Sequence, residues 1–379
     1  MPERAKLDFI FFDAGGGHRA AATALKDVVE RQGRPWDVRL VNLQEVLDSL
    51  DIFRKLTGLR LEDVYNTFLR KGWTFGSGPM LAAMHLVIRL YHGAQVRLLA
   101  DFWRPAPPDL VVSLVPNFNR ALFEGLRGAG AAAPFVTVLT DLADYPPRFW
   151  MERQPQHFIC GTDKAVEQAL AMDHPLERVF RVSGMILRPR FYEPVEVDRA
   201  VERVKLGLAA ELPTGLVLFG GYGSGAMIEI ARRVARCSRP AQFIFICGHN
   251  QGLVRALEAE RLPYPKVVEG YTTGVYYYMK LADFFIGKPG PGSIGEALLM
   301  RLPVIVERNA WTLPQERYNA EWVRERGVGL VVDSFRNVHQ AVDRLLEPAT
   351  LAGLQANIAA LDNRAVFEIP EILERLLRS

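Results

Sequence analysis

Short apolar runs alternate with amphipathic segments along the first half of the chain. The runs are rich in valine, isoleucine and phenylalanine, as strands buried on both faces of a sheet are. Repeated strand–helix–strand units predict a parallel sheet wound on both sides. The predicted strands are 6–12, 38–43, 109–115, 134–140, 157–160 and 179–183, with helices including 19–31 and 118–127.

The second half of the chain repeats this pattern. Its predicted strands are 215–219, 242–247, 266–269, 283–287, 303–307 and 328–332, and its predicted helices are 225–236, 251–260, 293–300 and 315–326. The proline-containing segment 188–197 has little periodicity and is interpreted as a linker. The predicted fold class is therefore α/β, with two Rossmann-like doubly wound domains facing a cleft. The predicted domains are 1–190 and 198–362, and a helix over 363–379 is expected to pack back on the first domain.

Each half opens with a strand that runs into a glycine-rich loop and then a helix. The first loop is Asp13-Ala-Gly-Gly-Gly-His18, and the second is Gly220-Gly-Tyr-Gly-Ser-Gly225. Such loops place backbone N–H groups and a helix N-terminus at the carboxyl edge of the sheet, where ligands of open α/β sheets bind. We therefore expect Gly15, Gly16 and Gly17 to line a ligand-binding site.

The first loop nearly matches the dinucleotide-binding fingerprint. That fingerprint also requires an acidic residue at the end of the second strand, and Asn42 stands there. The chain also lacks the Walker A pattern, G-x-x-x-x-G-K-[ST]. A dehydrogenase and a P-loop NTPase are both disfavoured.

The segment 283–319 carries the stronger nucleotide signal. A strand ends at Lys288, a Pro-Gly-Pro-Gly loop follows, and a helix is predicted to start at Ser293. The glycines let an anion approach the backbone, and Ser293 can cap the helix or face a phosphate. Glu296, one turn on, could accept both hydroxyls of a ribose. The alternative is a capping box, Ser293-x-x-Glu296, which needs no ligand.

The composition is typical of a folded globular protein. It favours neither nucleic-acid binding nor a disulfide framework. The 379 residues are 49% apolar and 23% charged, and the net charge of +3 is too small to indicate nucleic-acid binding. Three widely spaced cysteines favour a reducing compartment. No signal peptide is found, and no apolar stretch approaches the ~20 residues that span a bilayer. We expect a cytoplasmic protein.

A segment without acidic residues suggests contact with a membrane. Residues 64–100 contain no Asp or Glu but hold four basic residues interspersed with aromatic ones. This mixture suits an anionic membrane surface. We expect residues 64–104 to hold the protein on the inner face of the membrane, and the alternative is a set of core-packed helices with snorkelling arginines.

These motifs together resemble a known family. GGGHRAAA near the N-terminus, KPGPGSIGEALLMRLPVIV from Lys288, and Gln315-Glu316-x-x-Asn319 look like the monogalactosyldiacylglycerol synthases. More broadly they resemble the two-domain GT-B glycosyltransferases of family 28, which include the peptidoglycan N-acetylglucosaminyltransferase. The resemblance covers most of the chain and is weakest over 44–108. The chain departs from the family's pattern at two places. Tyr222 and Ser224 replace family glycines, and Pro146 lies where a histidine is expected.

The resemblance implies a role for each matching residue. His18 would be the general base, Glu296 would hold the ribose, and the turn 290–294 would hold the diphosphate. Gln315, Glu316 and Asn319 would read the sugar hydroxyls. The loop of Gly15, Gly16 and Gly17 would lie on the acceptor side. The donor-binding residues expected on this basis are Gly221, Gly223, Gly248, Gly270, Tyr271, Lys288, Gly290, Pro291, Gly292, Ser293, Ile294, Glu296, Gln315, Glu316 and Asn319.

Glycosyl transfer by these residues is expected to need no cofactor and no metal. The chain has no D-x-D motif for a metal, and the helix N-terminus near Ser293, with Lys288, could stabilise the leaving diphosphate. His18 has a suitable ordinary pKa for a base, and Asp13 or Asp141 could orient it. The hypothesis is an inverting transfer of a hexose, such as galactose, from a UDP-sugar to a lipid hydroxyl, most simply that of diacylglycerol. The alternatives are another acceptor, a UDP-N-acetylglucosamine 2-epimerase of the same fold, and a non-catalytic binding protein.

Overall fold

The computed structural model describes residues 4–13, 16–48, 88–194 and 196–378. These residues form two compact units that divide between residues 189 and 190, and the segment from residue 363 onward belongs to the first unit. Each unit is built on one six-stranded sheet whose neighbouring strands are all parallel. The predicted α/β fold class with two doubly wound sheets is confirmed.

The first sheet has the strand order β2-β1-β3-β4-β5-β6. Its strands are β1 (Ala5–Phe11), β2 (Trp36–Asn42), β3 (Leu110–Ser113), β4 (Phe135–Val138), β5 (His157–Cys160) and β6 (Val179–Arg181). Among the described residues of this unit, the helices before its C-terminal segment are α1 (Gly17–Arg31), α2 (Leu43–Leu47), α3 (His92–Trp103), α4 (Asn119–Gly128) and α5 (Asp163–Leu170), with 3-10 turns at Leu176–Arg178 and, at the unit boundary, Pro189–Tyr192.

The second sheet has the order β12-β11-β10-β7-β8-β9. Its strands are β7 (Thr214–Leu218), β8 (Gln242–Ile246), β9 (Lys266–Glu269), β10 (Phe284–Gly287), β11 (Val304–Glu307) and β12 (Gly329–Val332). Its helices are α6 (Arg199–Lys205), α7 (Ala226–Val234), α8 (Gln251–Ala259), α9 (Val275–Leu281), α10 (Pro291–Leu299), α11 (Arg317–Arg326), α12 (Val338–Leu345) and α13 (Pro348–Ala359), with 3-10 turns at Pro314–Glu316 and Phe335–Asn337.

Strand order reverses once in each sheet, and this reversal positions the ligand-binding loops. In the first sheet it lies between β1 and β3, and in the second it lies between β7 and β10. The connections after two such strands leave in opposite directions, so a crevice opens at their carboxyl ends. The two glycine-rich loops follow β1 and β7, and the loop 288–290 follows β10.

The last helix, α14 (Ala365–Leu377), packs on the first sheet. Ile369 and Leu373 are fully buried in one apolar cluster with Leu7 of β1 and Leu25 of α1. At the surface, Arg34 pairs with Glu374 at 2.6 Å, which holds α14 to the chain just before β2. Within the parts of the chain that the structure describes, no helix is both long and apolar enough to cross a membrane.

Candidate active site

His18 lies on the first turn of α1, at the carboxyl edge of the first sheet. Gly16 caps this helix with a φ of 77°, a left-handed conformation that glycine adopts without strain. A Cβ atom on Gly17 would meet no atom within 4 Å, so the bare backbone keeps open space beside the helix start. Gly15 lies outside the described residues.

Two residues that the sequence did not predict surround the imidazole of His18. Its Nδ1 lies 3.0 Å from the hydroxyl Oγ1 of Thr140, which follows β4. The centroid of the buried Trp150 ring is 5.8 Å from that of the imidazole. Strand order explains this meeting, since the ends of β1, β3 and β4 are neighbours at one edge of the sheet.

The two aspartates expected to orient His18 make other contacts. Asp13 accepts a hydrogen bond from Nη1 of Arg19 at 2.8 Å, since the guanidinium one turn into α1 lies beside its carboxylate. Asp141 accepts one from the indole Nε1 of Trp150 at 2.9 Å. Asp141 therefore holds the ring of Trp150, and the hydroxyl of Thr140 lies within hydrogen-bonding distance of the imidazole.

The loop that carries Trp150 is fixed by buried hydrogen bonds. The carboxylate of Asp144 accepts the backbone N–H groups of Arg148 at 2.9 Å and of Trp150 at 2.6 Å. The side-chain amide of Asn119 donates to the carbonyl of Trp150 at 2.8 Å. Pro146, where the family histidine was expected, lies half-buried in this loop. Trp150 is thus held against His18 by its backbone as well as by Asp141.

Burial strongly changes the protonation of His18. Removing the ring from water disfavours the imidazolium and lowers its pKa from 6.5 to about 4, although a backbone hydrogen bond with Leu114 acts in the opposite direction. The imidazole is therefore neutral at physiological pH and can accept a proton. Its low pKa also makes it a weaker base than a solvated histidine.

In the second unit, the glycine-rich loop after β7 packs closely against the loop after β8. Gly248 has a φ of 60°, and a Cβ atom there would lie 2.1 Å from the carbonyl oxygen of Gly221. A Cβ atom on Gly223 would lie 2.7 Å from the carbonyl oxygen of Cys247, whereas one on Gly221 would meet open space. Gly223 and Gly248 are thus required by packing, whereas Gly221 leaves room for a ligand.

Helix α10 begins two residues earlier than the sequence predicts. Gly290 is its N-cap and Pro291 its first residue, so Ser293 lies inside the first turn and is not the cap. The capping box Ser293-x-x-Glu296 is therefore excluded, because such a box needs its serine at the N-cap. The proline at this position stabilises the early start, since its fixed φ suits a first turn.

The start of α10 leaves two backbone donors without a partner inside the helix. Pro291 has no N–H, and the N–H of Ile294 bonds the carbonyl of Gly290 at 3.0 Å. First-turn N–H groups have no partner within their helix, which leaves those of Gly292 and Ser293 as donors. A Cβ atom on Gly292 would meet no atom within 4 Å. Glu296 is four residues on from Gly292 and so lies on the same face of the helix.

The three residues expected to read the sugar hydroxyls differ in how deeply they are buried and in what they contact. Gln315 is half-buried in the 3-10 turn. Glu316 is buried, and its Oε1 lies 2.8 Å from Nζ of Lys288. Asn319 is fully buried and donates to the carbonyl of Pro289 at 2.9 Å. Glu316 and Asn319 therefore contact the loop 288–290.

An aromatic stack lies at the edge where β8 and β9 end. The rings of His249 and Tyr271 stack with centroids 3.9 Å apart and an interplanar angle of 17°. Tyr271 is 57% exposed, so part of this stack is accessible to a ligand. The N–H of the neighbouring Gly270 bonds the carboxylate of Glu269 at 3.0 Å.

Named relatives of the chain share one activity. The chain is 28% identical to the probable monogalactosyldiacylglycerol synthase 2 of Oryza sativa subsp. japonica, and the match covers 96% of this chain and 79% of that one. The monogalactosyldiacylglycerol synthase of Spinacia oleracea is 28% identical, over 100% and 74% of the two chains. No protein-family model matches the chain. The predicted resemblance and the predicted enzyme class, a glycosyltransferase, are confirmed.

Solved structures share the fold at low sequence identity. MurG of Acinetobacter baumannii matches with a TM-score of 0.63 and 12% identity, over 98% of this chain and 99% of that one. The calicheamicin glycosyltransferase CalG4 matches with a TM-score of 0.61 and 17% identity, and the match covers 100% of this chain and 99% of that one. An MnaA–UDP structure from S. aureus matches with a TM-score of 0.63 and 16% identity, and the match covers 99% of this chain and 97% of that one. The predicted GT-B fold is confirmed.

The lowered pKa of His18 predicts a specific pH dependence of stability. As pH falls from 6.5 toward about 4, the unfolded chain binds a proton at this position before the folded chain does. Stability contributed by the neutral His18 is therefore lost across that window. We expect His18→Gln to flatten the decline in melting temperature between these pH values, and parallel curves for the two proteins would contradict the assignment.

Proposed function

We propose that the protein transfers a hexose from a UDP-sugar to the free hydroxyl of diacylglycerol, with inversion and without a metal. The donor assignment rests on the first turn of α10, which is open and lies at the strand-order reversal of the second sheet. The named relatives support the lipid acceptor, because their names describe synthesis of a galactosyldiacylglycerol. The transferred sugar is proposed to be galactose or glucose.

The donor would bind along the edge of the second sheet. In this proposal the N–H groups of Gly292 and Ser293 bond the diphosphate, and Glu296 bonds the ribose hydroxyls from the same helix face. The uracil would lie toward Tyr271. A helix N-terminus stabilises an anion by about 0.3–1 kcal/mol when exposed and by up to ~2 kcal/mol when partly buried. Preorganised N–H groups can also stabilise the charge that develops on the leaving diphosphate, which is why no metal is invoked.

The transfer itself would be a single displacement. The acceptor oxygen attacks the anomeric carbon, the bond from that carbon to the phosphate oxygen breaks, and UDP leaves with the bonding electrons. His18 takes the hydroxyl proton, with Thr140 holding the imidazole in position. One displacement inverts the anomeric carbon, so an α-linked donor gives a β-glycolipid.

Incubation of the purified protein with a panel of UDP-sugars and diacylglycerol vesicles tests this proposal. With EDTA present, mass spectrometry and NMR of the lipid are expected to reveal a β-linked monohexosyldiacylglycerol. Turnover only after addition of a divalent cation would contradict metal independence. Conversion of UDP-N-acetylglucosamine in the absence of any acceptor would instead favour a 2-epimerase, and a different glycosylated lipid would favour another acceptor.

Replacement of His18 separates catalysis from donor binding. His18→Ala is expected to lower turnover at least about 100-fold, since general-base catalysis is typically worth ~10²–10⁴-fold. UDP affinity, measured by calorimetry, is expected to persist. His339→Ala, on α12 and outside both candidate sites, serves as the matched control. Undiminished turnover of His18→Ala would remove His18 from the mechanism.

We also propose that the region 64–104 binds an anionic membrane surface on the inner face of the membrane. Its residues 64–87 lie outside the described part of the chain. In the described part, Arg89 and Arg97 are exposed and the side chain of Leu90 is 71% exposed. A basic pair beside an exposed leucine suits an anionic lipid surface, where each arginine contributes roughly 1 kcal/mol.

Charge reversal tests the membrane proposal. The double variant Arg89→Glu/Arg97→Glu is expected to weaken sedimentation with phosphatidylglycerol-containing vesicles at least about tenfold. Arg255→Glu/Arg261→Glu makes the same change in net charge at exposed positions of the other unit and is expected to have a small effect. Equal losses in the two variants would mean that net charge, and not the region 64–104, governs binding.

A further inference from the structure

The ring of Trp150 packs beside the imidazole of His18. The proposed function makes His18 the base that takes the acceptor proton, and a base in that role must be neutral before the proton is transferred. We infer that Trp150 is a positioning residue for His18: its ring keeps water from the imidazole, and the network that holds this ring sets the pH range in which His18 can accept a proton. The inference rests on the proposed role of His18 and deepens it.

Trp150 is fully buried although it lies against a side chain at the edge of the sheet. Its exposure is 0%, and its ring centroid is 5.8 Å from that of the His18 imidazole, at an interplanar angle of 54°. The ring belongs to an apolar cluster that includes Leu139 and Phe158. A buried ring at this distance leaves little room for water between the two side chains. His18 itself is half-buried, so part of the residue stays accessible.

Two buried polar side chains hold the backbone of Trp150. Asp144 accepts the N–H of Trp150 at 2.6 Å, and Asn119 donates to its carbonyl at 2.8 Å. Asp144 is itself fixed to α5, because its N–H donates to Oε1 of Gln168 at 2.8 Å and its carbonyl accepts the amide of Gln168 at 3.1 Å. Asn119 also accepts the hydroxyl of Ser113 at 2.6 Å. Both backbone groups of Trp150 are therefore paired, and both partners are anchored in turn.

Nearby charge does not account for the neutral state of His18. The charged residues on the first turn of α1 and on the segments that follow β1 and β4 are Asp13, Arg19, Asp141, Asp144 and Arg148. Asp13 pairs with Arg19 at 2.8 Å, and Arg148 is exposed. A carboxylate beside an imidazole would raise its pKa, whereas burial lowers the pKa of His18 to about 4. Covering of the ring is therefore what keeps His18 neutral.

An NMR titration of His18 tests this role without any substrate. The Cε1 resonance of His18, assigned by comparison with His18→Gln, is followed with pH in the wild type, Trp150→Ala and Trp150→Phe. Trp150→Ala is expected to raise the midpoint by at least about one pH unit toward 6.5, because water then reaches the imidazole. Trp150→Phe keeps a ring and loses the indole donor, so its midpoint is expected to stay within about half a pH unit of the wild type. The acidic limb of the pH profile of kcat/KM for sugar transfer is expected to move with the midpoint.

Asp144→Asn tests the holding network by a change whose electrostatic effect has the opposite sign. The two carboxylate oxygens of Asp144 accept the N–H groups of Arg148 and Trp150, and an asparagine side chain offers only one oxygen. Loss of a carboxylate charge by itself would lower the pKa of His18, whereas release of the loop lets water in and raises that pKa. We expect the pKa of His18 to rise in this variant.

Phe158→Ala controls for a general loss of packing. Phe158 of β5 is fully buried in the same apolar cluster as Trp150. Its removal is expected to lower the melting temperature, as Trp150→Ala does, and to leave the titration of His18 unchanged. An unchanged midpoint in Trp150→Ala, or an equal rise in Phe158→Ala, would overturn the role of Trp150.

The Asp144 variant decides the network separately. A lowered or unchanged pKa of His18 in Asp144→Asn would overturn the holding role of Asp144, and it can be measured even if Trp150→Ala does not fold. Absence of sugar transfer by the wild type would overturn the proposed function alone, because the titration needs no substrate.

Discussion

The strictly parallel direction of the strands is the constraint on which both candidate sites depend. All described pairs in both sheets are parallel, so the strands of each sheet end at one edge. Backbone groups and helix N-termini converge there, and the reversal of strand order opens a crevice between two of the loops. His18 lies at that edge beside the end of β1, and the start of α10 lies at the matching edge beside the end of β10.

Both sites rely on dipoles and neutral groups more than on net charge. Lys288 is paired with Glu316, which leaves the oriented N–H groups of α10 as the main attraction proposed for a diphosphate. His18 is desolvated and bonded to a neutral hydroxyl, and burial lowers its pKa to about 4. Such an imidazole is a weak base in the free protein.

The sequence predicts the strands well because the strands inside each sheet, such as β3, β4, β7, β8 and β10, are buried along their whole length and are mostly apolar. Strands β5 and β9 lie at the predicted residues, and the helix start at Gly17 is close to the predicted one. The start of α10 was predicted two residues late, because Ser293 has the features of a cap while Gly290 and Pro291 form the actual start. Thr140 and Trp150 could not be assigned to the site from local patterns, since Thr140 meets His18 from 122 residues away. A predicted strand order would have brought the end of β4 near β1 and pointed to Thr140.

A structure of the protein with bound UDP tests the central claim most directly. The account predicts diphosphate oxygens within hydrogen-bonding distance of the backbone N–H groups of Gly292 and Ser293, with the ribose hydroxyls at the carboxylate of Glu296. Binding of the diphosphate at the glycine-rich loop before His18, with the first turn of α10 unoccupied, would contradict it.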